Sequence, residues 1–377
     1  MKAETTFSLN DQLFNAEKVE WLALRFVGAY PDFPKPEFCK AVVSEFPTLE
    51  LKQRLAHITE CLAVSLPDDF QEAVAIILKA LPDPLDPKKR DDDFGDFIIA
   101  PLSHFVATRG CNAEQLEVSL AALYEMTQRF SAEDSIRFFI NAFPESTMSF
   151  LAKCAGDENY HVRRLASEGT RPKLPWCQKI GIDYREPIEI LDALFSDETR
   201  YVTRSVANHL NDISKLDPEL VIATLARWKK RGAQDEKEMG FIIRHATRTL
   251  VKQGSNAALA LMGFGETPRI RIREFSILTP EVKVGEVLKF VLAIESQSNQ
   301  NLLIDYRMQF AGGGKRGGQK VFKLKQIEDV KADAILKILK RHPMKLMTTR
   351  TLYAGTHSIT LQVNGQDFGT LSFELSA

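Results

Sequence analysis

Between Tyr160 and Trp176 the chain gathers Arg163, Arg164, Arg171 and Lys173 around a single acid, Glu168, and closes on a large indole. Guanidinium groups bind phosphate oxygens bidentately. A carboxylate among them opposes a polyanion, so it needs a reason of its own. One reason is structural: Arg164 stands four residues before Glu168, on the same face of a helix. The other is chemical. Glycosidic bonds break through an oxocarbenium-like state, which a nearby anion stabilises, and a carboxylate can also orient a water. Trp176 can stack on a base or a sugar, or can be core. Glu133, in Arg129-Phe-Ser-Ala-Glu, is a second acid. With Ser131 before it, it also fits the start of a helix.

The elements that must position these groups follow from spacing. Val162, Leu165 and Ala166 recur at three and four, which predicts a helix, with Asp157 ahead of it as a cap. Gly169 and Pro172 end it, and Pro175 stiffens the loop. Asp157-Glu-Asn-Tyr-His-Val-Arg-Arg returns 40 residues later as Asp197-Glu-Thr-Arg-Tyr-Val-Thr-Arg, and a further 40 brings Ile242 and Arg244. A period near 40 built from paired helices predicts HEAT-like repeats stacked into a solenoid. Arg164, Arg204 and Arg244 then occupy one place in three units. Glu168, Asn208 and Arg248 follow one turn on, with Asp212 a turn beyond in the second unit. Phosphate contact and inter-repeat ion pairing are both open for these arginines. For Arg163, Asp157 and Glu158 favour the ion pair.

Residues 10–150 read as helix after helix, interrupted by the Pro82–Asp93 connection. After residue 265 the period changes. Arg269-Ile-Arg-Ile-Arg-Glu-Phe-Ser-Ile-Leu alternates as a strand does. Further strands are expected at Val287–Ser296, Leu302–Gln309, Lys320–Ile327, Ile335–His342, His357–Val363 and Phe368–Leu375, the last two joined by a turn at Asn364-Gly365. The fold class expected is therefore an all-α HEAT-like repeat solenoid, residues 1–265, followed by an all-β immunoglobulin-like sandwich, residues 266–377. The Gly-rich loop with Lys315 and Arg316, together with Lys340, Arg341, His342, Lys345 and Arg350, forms a candidate basic edge.

Composition narrows the class. The net charge of −1 divides into −10 over residues 1–150, +2 over 151–266 and +7 over 267–377. An acidic start and a basic end suit a polyanionic partner met by the later parts, or only solubility. Five scattered cysteines, with no Cys-x-x-Cys pair, point away from a disulfide framework or a zinc ribbon, and a reducing cytosol is the expected home. No apolar run is long enough to span a bilayer. His161, His209 and His245 lack metal-ligand spacing, so neither a metal nor a cofactor is expected.

One resemblance is long and specific. His161-Val-Arg-Arg-Leu-Ala-Ser-Glu-Gly-Thr-Arg-Pro-Lys-Leu-Pro-Trp176 closely resembles the signature of the AlkC branch of DNA alkylation repair proteins. So do Tyr201–Lys215, Ile242–Lys252, Lys320–Lys325 and Thr348-Thr-Arg350. The resemblance implies a HEAT-like DNA glycosylase with an appended Ig-like domain that removes 3-methyladenine and 3-methylcytosine from DNA, and the absence of a catalytic lysine motif makes a monofunctional hydrolase the expectation. It implies Glu168 and Glu133 as catalytic carboxylates and Trp176 at the lesion, with Arg164 nearby. Two departures stand out: Asp134 adds an acid beside Glu133, and Thr203 stands where arginine is expected. Asn208 and Asp212 join Trp176 and Arg164 as candidate lesion contacts. Arg163, Arg171, Lys173, Arg204, Arg244, His245, Arg248, Lys315 and Arg316 are candidate backbone contacts. The expected partner of a monomer is double-stranded DNA with alkylated bases, without membrane or metal. The rival readings are a non-enzymatic repeat scaffold and a protein that binds damage without cutting.

Overall fold

The computed structural model describes residues 9–89, 91, 94–265, 267–312, 318–345 and 351–376. The described residues form two compact units. One runs up to Leu216 and takes in Trp228–Ala246; the other combines Asp217–Arg227 with the chain from Thr247 onward.

The first unit is helical: α1 (Leu9–Leu13), α2 (Ala16–Ala29), α3 (Lys35–Glu45), α4 (Leu51–Ser65), α5 (Phe70–Ala80), α6 (Ala100–Arg109), α7 (Leu116–Thr127), α8 (Ile136–Ala142), α9 (Pro144–Cys154), α10 (Tyr160–Gly169), α11 (Ile188–Leu194), α12 (Arg200–Ile213) and α14 (Glu236–Ala246), with α13 (Pro218–Arg231) shared between the units. The 40-residue period is visible as α10 against α12 and α12 against α14. Val162, Val202 and Ile242, equivalent in the repeat, are each wholly buried. The expected third rung is shorter than the period implies. The helix stops at Ala246, and Arg248 begins α15 (Arg248–Lys252), in the second unit.

In the second unit α15 and α16 (Asn256–Leu261) precede eight strands: β1 (Ile270–Ile277), β2 (Glu281–Lys283), β3 (Val287–Ser296), β4 (Gln300–Gln309), β5 (Gln319–Val330), β6 (Ile335–Pro343), β7 (Gly355–Val363) and β8 (Gln366–Ser376). They make two sheets, β1-β3-β6 and β2-β8-β7-β4-β5, antiparallel except for β2 beside β8. Phe290, Tyr306, Met308 and Phe373 fill the space where a Cys–Trp–Cys core is absent. Leu259 and Phe264 pack on Leu303, so α16 sides with the sheet. The change of period at 265 and the compact division are thus different boundaries. The β7–β8 turn has Asn364 and Gly365 both left-handed (φ 45° and 77°), as its Asn-Gly pair predicts. A side chain at Gly365 would also meet Gly254. The short β2 went unpredicted, being too brief to show alternation.

The expected basic edge divides because strand side chains alternate. Lys340 lies over the Tyr306 ring and His342 Nδ1 is 2.6 Å from the Tyr306 hydroxyl, while Arg341 between them is exposed. Lys315, Arg316 and Arg350 lie outside the described residues. Among the described residues no helix is long and apolar enough to cross a membrane.

Candidate active site

Helix α10 starts on a polar cap, supplied by a different residue from the one expected. Asn159 Oδ1 accepts the His161 N–H at 2.9 Å, while Asp157 sits one step back, accepting Asn159 N–H (2.7 Å) and the Tyr124 hydroxyl (2.9 Å). From Tyr160 to Gly169 all residues but Arg163 are buried. At Gly169 the chain packs against Ile136 of α8: a Cβ there would stand 2.6 Å from Ile136 Cγ2. That approach brings residues 131–137 to α10. Arg137 fastens the loop beyond, donating to the carbonyls of Gln178 (2.6 Å), Gly169 (2.9 Å) and Arg171 (2.9 Å).

The charged side chains then form a line of alternating sign. Glu133 Oε2 accepts Arg164 Nη1 at 2.7 Å and the Ser131 hydroxyl at 2.8 Å. Arg164 Nη2 stands 3.7 Å from Glu168 Oε1, and the same oxygen accepts Arg171 Nη1 at 2.5 Å. Glu168 Oε2 accepts the Ser205 hydroxyl at 2.6 Å. Arg171 continues to Asp212 Oδ2 through Nε (3.0 Å) and Nη2 (2.8 Å), and Asp212 Oδ1 meets Lys215 Nζ at 3.1 Å. The Arg164 guanidinium also lies 4.5 Å over the Tyr201 ring.

Glu168 is 4% exposed. Burial by itself would raise its pKa, but Arg164, Arg171 and the Ser205 and Arg171 hydrogen bonds together hold it below the usual carboxylate range. It is therefore an anion at neutral pH. Burial likewise works against charge on Arg164, yet Glu133 and Glu168 raise its pKa above the ordinary guanidinium value. Asp134 lies near the Cys177 thiol, whose pKa is pushed up by burial and by this acid.

Trp176 resolves the choice between core and surface: it is 75% exposed, and its backbone is left-handed at φ 70°. A bulky residue in that region is strained by about 1–3 kcal/mol, and such strain gathers at functional sites.

The remaining candidates separate by environment. Arg163 donates to both Asp197 oxygens (2.5 and 3.1 Å) and to the carbonyls of Asp157 and Glu158, an inter-repeat clamp as its acidic neighbours suggested. At Thr203, where arginine was expected, the hydroxyl donates to Glu238 at 2.5 Å beside Arg200, which supplies the cation. Arg204 is half-buried and paired with Asp91. Asn208 Oδ1 is 2.8 Å from His245 Nε2. Arg244 and Lys173 are exposed, Arg248 half-buried. Asp212 is buried behind Arg171. Among the described residues no three His, Cys, Asp or Glu side chains group as metal ligands.

Sequence reasoning passed over Arg137, Tyr201 and Ser205. Ser205 had a signal: in the 40-residue register it replaces Leu165, a polar residue where packing asks for an apolar one. Tyr201 occupies the register of His161 and Phe241. The last of these carries the Arg200 guanidinium 3.7 Å from its ring centre.

Comparison with known proteins shows what the chain is similar to. Residues 271–377 match a family described as the C-terminal Ig-like domain of the uncharacterised protein YhaZ. Protein YhaZ of Bacillus subtilis is 31% identical over 368 residues, covering 97% of this chain and 98% of that protein. A solved structure of the Pseudomonas fluorescens alkylpurine DNA glycosylase AlkC, bound to DNA containing an abasic site analogue, superimposes with a TM-score of 0.87. Its identity is 32%, over 98% of this chain and all of that one. With both relatives matched almost end to end, the chain belongs to the AlkC-type family of DNA alkylation repair proteins.

Proposed function

We propose that this protein is a monofunctional DNA glycosylase that hydrolyses the N-glycosidic bond of cationic alkylated bases in duplex DNA, with 3-methyladenine and 3-methylcytosine as substrates. The observation that carries the reading is the buried, ionised Glu168 held between two guanidinium groups and a hydroxyl, in the segment that ends on the exposed Trp176. The full-length likeness to an alkylpurine glycosylase supports it.

A base alkylated on a ring nitrogen already carries positive charge. When its bond to C1′ breaks, the electron pair goes to the base, which leaves neutral, so no proton has to be delivered to it. Positive charge then builds on the deoxyribose, and a fixed anion lowers the energy of that state. Glu168 suits this task because both its oxygens are already held. Glu133 is the more accessible acid, with a side chain 26% exposed, and is the group assigned to take the proton of the water that adds to C1′. Trp176 stacks at the lesion. The exposed Arg244 and Lys173 face the phosphates.

The test is incubation of the purified protein with methylated duplex DNA, followed by chromatographic identification of released bases. Free 3-methyladenine and 3-methylcytosine are expected, leaving abasic sites in unbroken strands. If DNA binds but no base is freed over repeated incubations, the protein is a damage binder. If neither occurs, it is a scaffold. Strand breakage without added alkali would overturn the monofunctional assignment.

A further inference from the structure

We infer that Ser205 and Arg171 are positioning residues that fix the Glu168 carboxylate, and that Arg171 does this in place of contacting the DNA backbone. The inference rests on the proposed role of Glu168. Each carboxylate oxygen has its own donor: Arg171 Nη1 for Oε1 at 2.5 Å, the Ser205 hydroxyl for Oε2 at 2.6 Å. One donor comes from the loop after α10 and the other from α12. The carboxylate therefore cannot turn about its terminal bond without losing a partner.

Both donors are supported from behind. Ser205 Oγ lies 2.9 Å from Ser167 Oγ. Arg171 directs Nε and Nη2 onto Asp212 Oδ2, and Asp212 is anchored in turn by Lys215. Its remaining contact is with the Lys173 carbonyl. With Arg171 8% exposed, a phosphate could reach it only by displacing Glu168 or Asp212. The other ionisable groups around Glu168 are Arg164, with Glu133 behind it, and Tyr201 and His209 of α12. Among the described residues it is Ser205 that supplies the hydrogen bond to Oε2.

A fixed anion works through its placement, and a displacement of about 1 Å costs on the order of a hundredfold in rate. The Ser205 hydroxyl also favours the charged form of Glu168. Losing it makes the carboxylate easier to protonate, so activity fails at a higher pH on the acid side.

The experiment measures single-turnover base release from methylated duplex DNA across pH, and affinity for duplex DNA bearing an abasic analogue at several salt concentrations. Ser205→Ala is expected to slow release by about ten- to a hundredfold, to move the acid limb upward and to leave affinity unchanged. Ser205→Thr keeps the hydroxyl and is expected to restore both rate and limb. Arg171→Gln is expected to slow release comparably while the dependence of log affinity on log salt keeps its slope. A lost phosphate contact would lower that slope by about one. Should Arg171→Gln not fold, Arg171→Lys decides, because lysine can hold a phosphate but its single nitrogen lacks the fork that reaches Glu168 through Nη1 and Asp212 through Nε and Nη2: slow release supports positioning, normal release overturns it. Wild-type rate and pH limb in Ser205→Ala would overturn the inference for Ser205, and a reduced slope with normal release would overturn it for Arg171. Glu168→Gln separates the two levels. If it is inactive while these variants are normal, the positioning inference alone fails; if it is fully active, the role of Glu168 fails with it.

Discussion

At Glu168 the surrounding charge decides what the carboxylate can offer. Two guanidinium groups and a hydroxyl outweigh burial and keep it ionised, so it can stabilise positive charge but holds no proton to give. Glu168→Gln keeps the shape and removes the anion. Base release is expected to fall by about 10²–10³, the scale seen when one preorganised electrostatic group is lost. Affinity for duplex DNA is expected to stay within a few-fold. Single-turnover release and equilibrium binding on one preparation check both, and release at the normal rate would falsify the catalytic role. Trp176 allows a complementary test, because its strain and its exposure are separable. Trp176→Gly relieves the left-handed backbone and is expected to raise stability by about 1 kcal/mol while base release drops. A more stable variant with unchanged release would leave the indole without a role at the lesion.

At the scale of elements the site exists because α8 and α10 approach at Gly169, which leaves no room for a Cβ beside Ile136. In an open helix Gly→Ala stabilises by roughly 0.5–1 kcal/mol. Here Gly169→Ala is expected to destabilise, by about 1–3 kcal/mol from overpacking, and to slow base release by shifting Glu133 against Arg164. Adding Ile136→Leu, which removes the Cγ2 methyl at nearly constant volume, is expected to recover part of the stability, and urea midpoints for the two single variants and the double variant measure the coupling. Local signals made much of this framework legible in the sequence. The 40-residue register placed α10, α12 and α14, and alternation placed seven of the eight strands. What the sequence concealed were partners distant along the chain. Nothing near Arg171 announces Asp212, and while Asp157 and Glu158 favour an ion pair for Arg163, nothing near it names Asp197 as the partner. A row of arginines has the same spacing whether each ends in an ion pair or on DNA. Only the fold shows that Arg163 and Arg171 are internally engaged while Arg244 is exposed.

Across the whole molecule the two units carry buried ionisable groups with opposite responses to acid. In the helical unit, burial lowers His209 from 6.5 to about 4, and its Nδ1 is 3.0 Å from the Ser167 carbonyl. Between those values the unfolded chain binds the extra proton, so stability is lost as pH falls from 6.5 toward 4. Glu168 and Glu238, both held below 4.5 when folded, add losses of the same sign further into acid. In the β unit, burial raises Asp305 from 3.8 to about 6, against the opposing pull of Lys323, the Leu324 N–H and Lys252. There the folded form binds the extra proton, so stability is gained as pH falls from 6 toward 3.8. Acidification from pH 6.5 to 4.5 is therefore expected to weaken the helical unit and strengthen the β unit. Trp21, Trp176 and Trp228 all belong to the helical unit, so tryptophan fluorescence follows that unit alone. Amide exchange in β3, β4 and β7 follows the other. The fluorescence midpoint is expected to drop with acid in the wild type and to drop less in His209→Gln. Strand protection is expected to rise with acid in the wild type and to become insensitive to pH in Asp305→Asn. Parallel movement of both probes in every variant would mean that the units unfold as one body and that neither group governs its own unit.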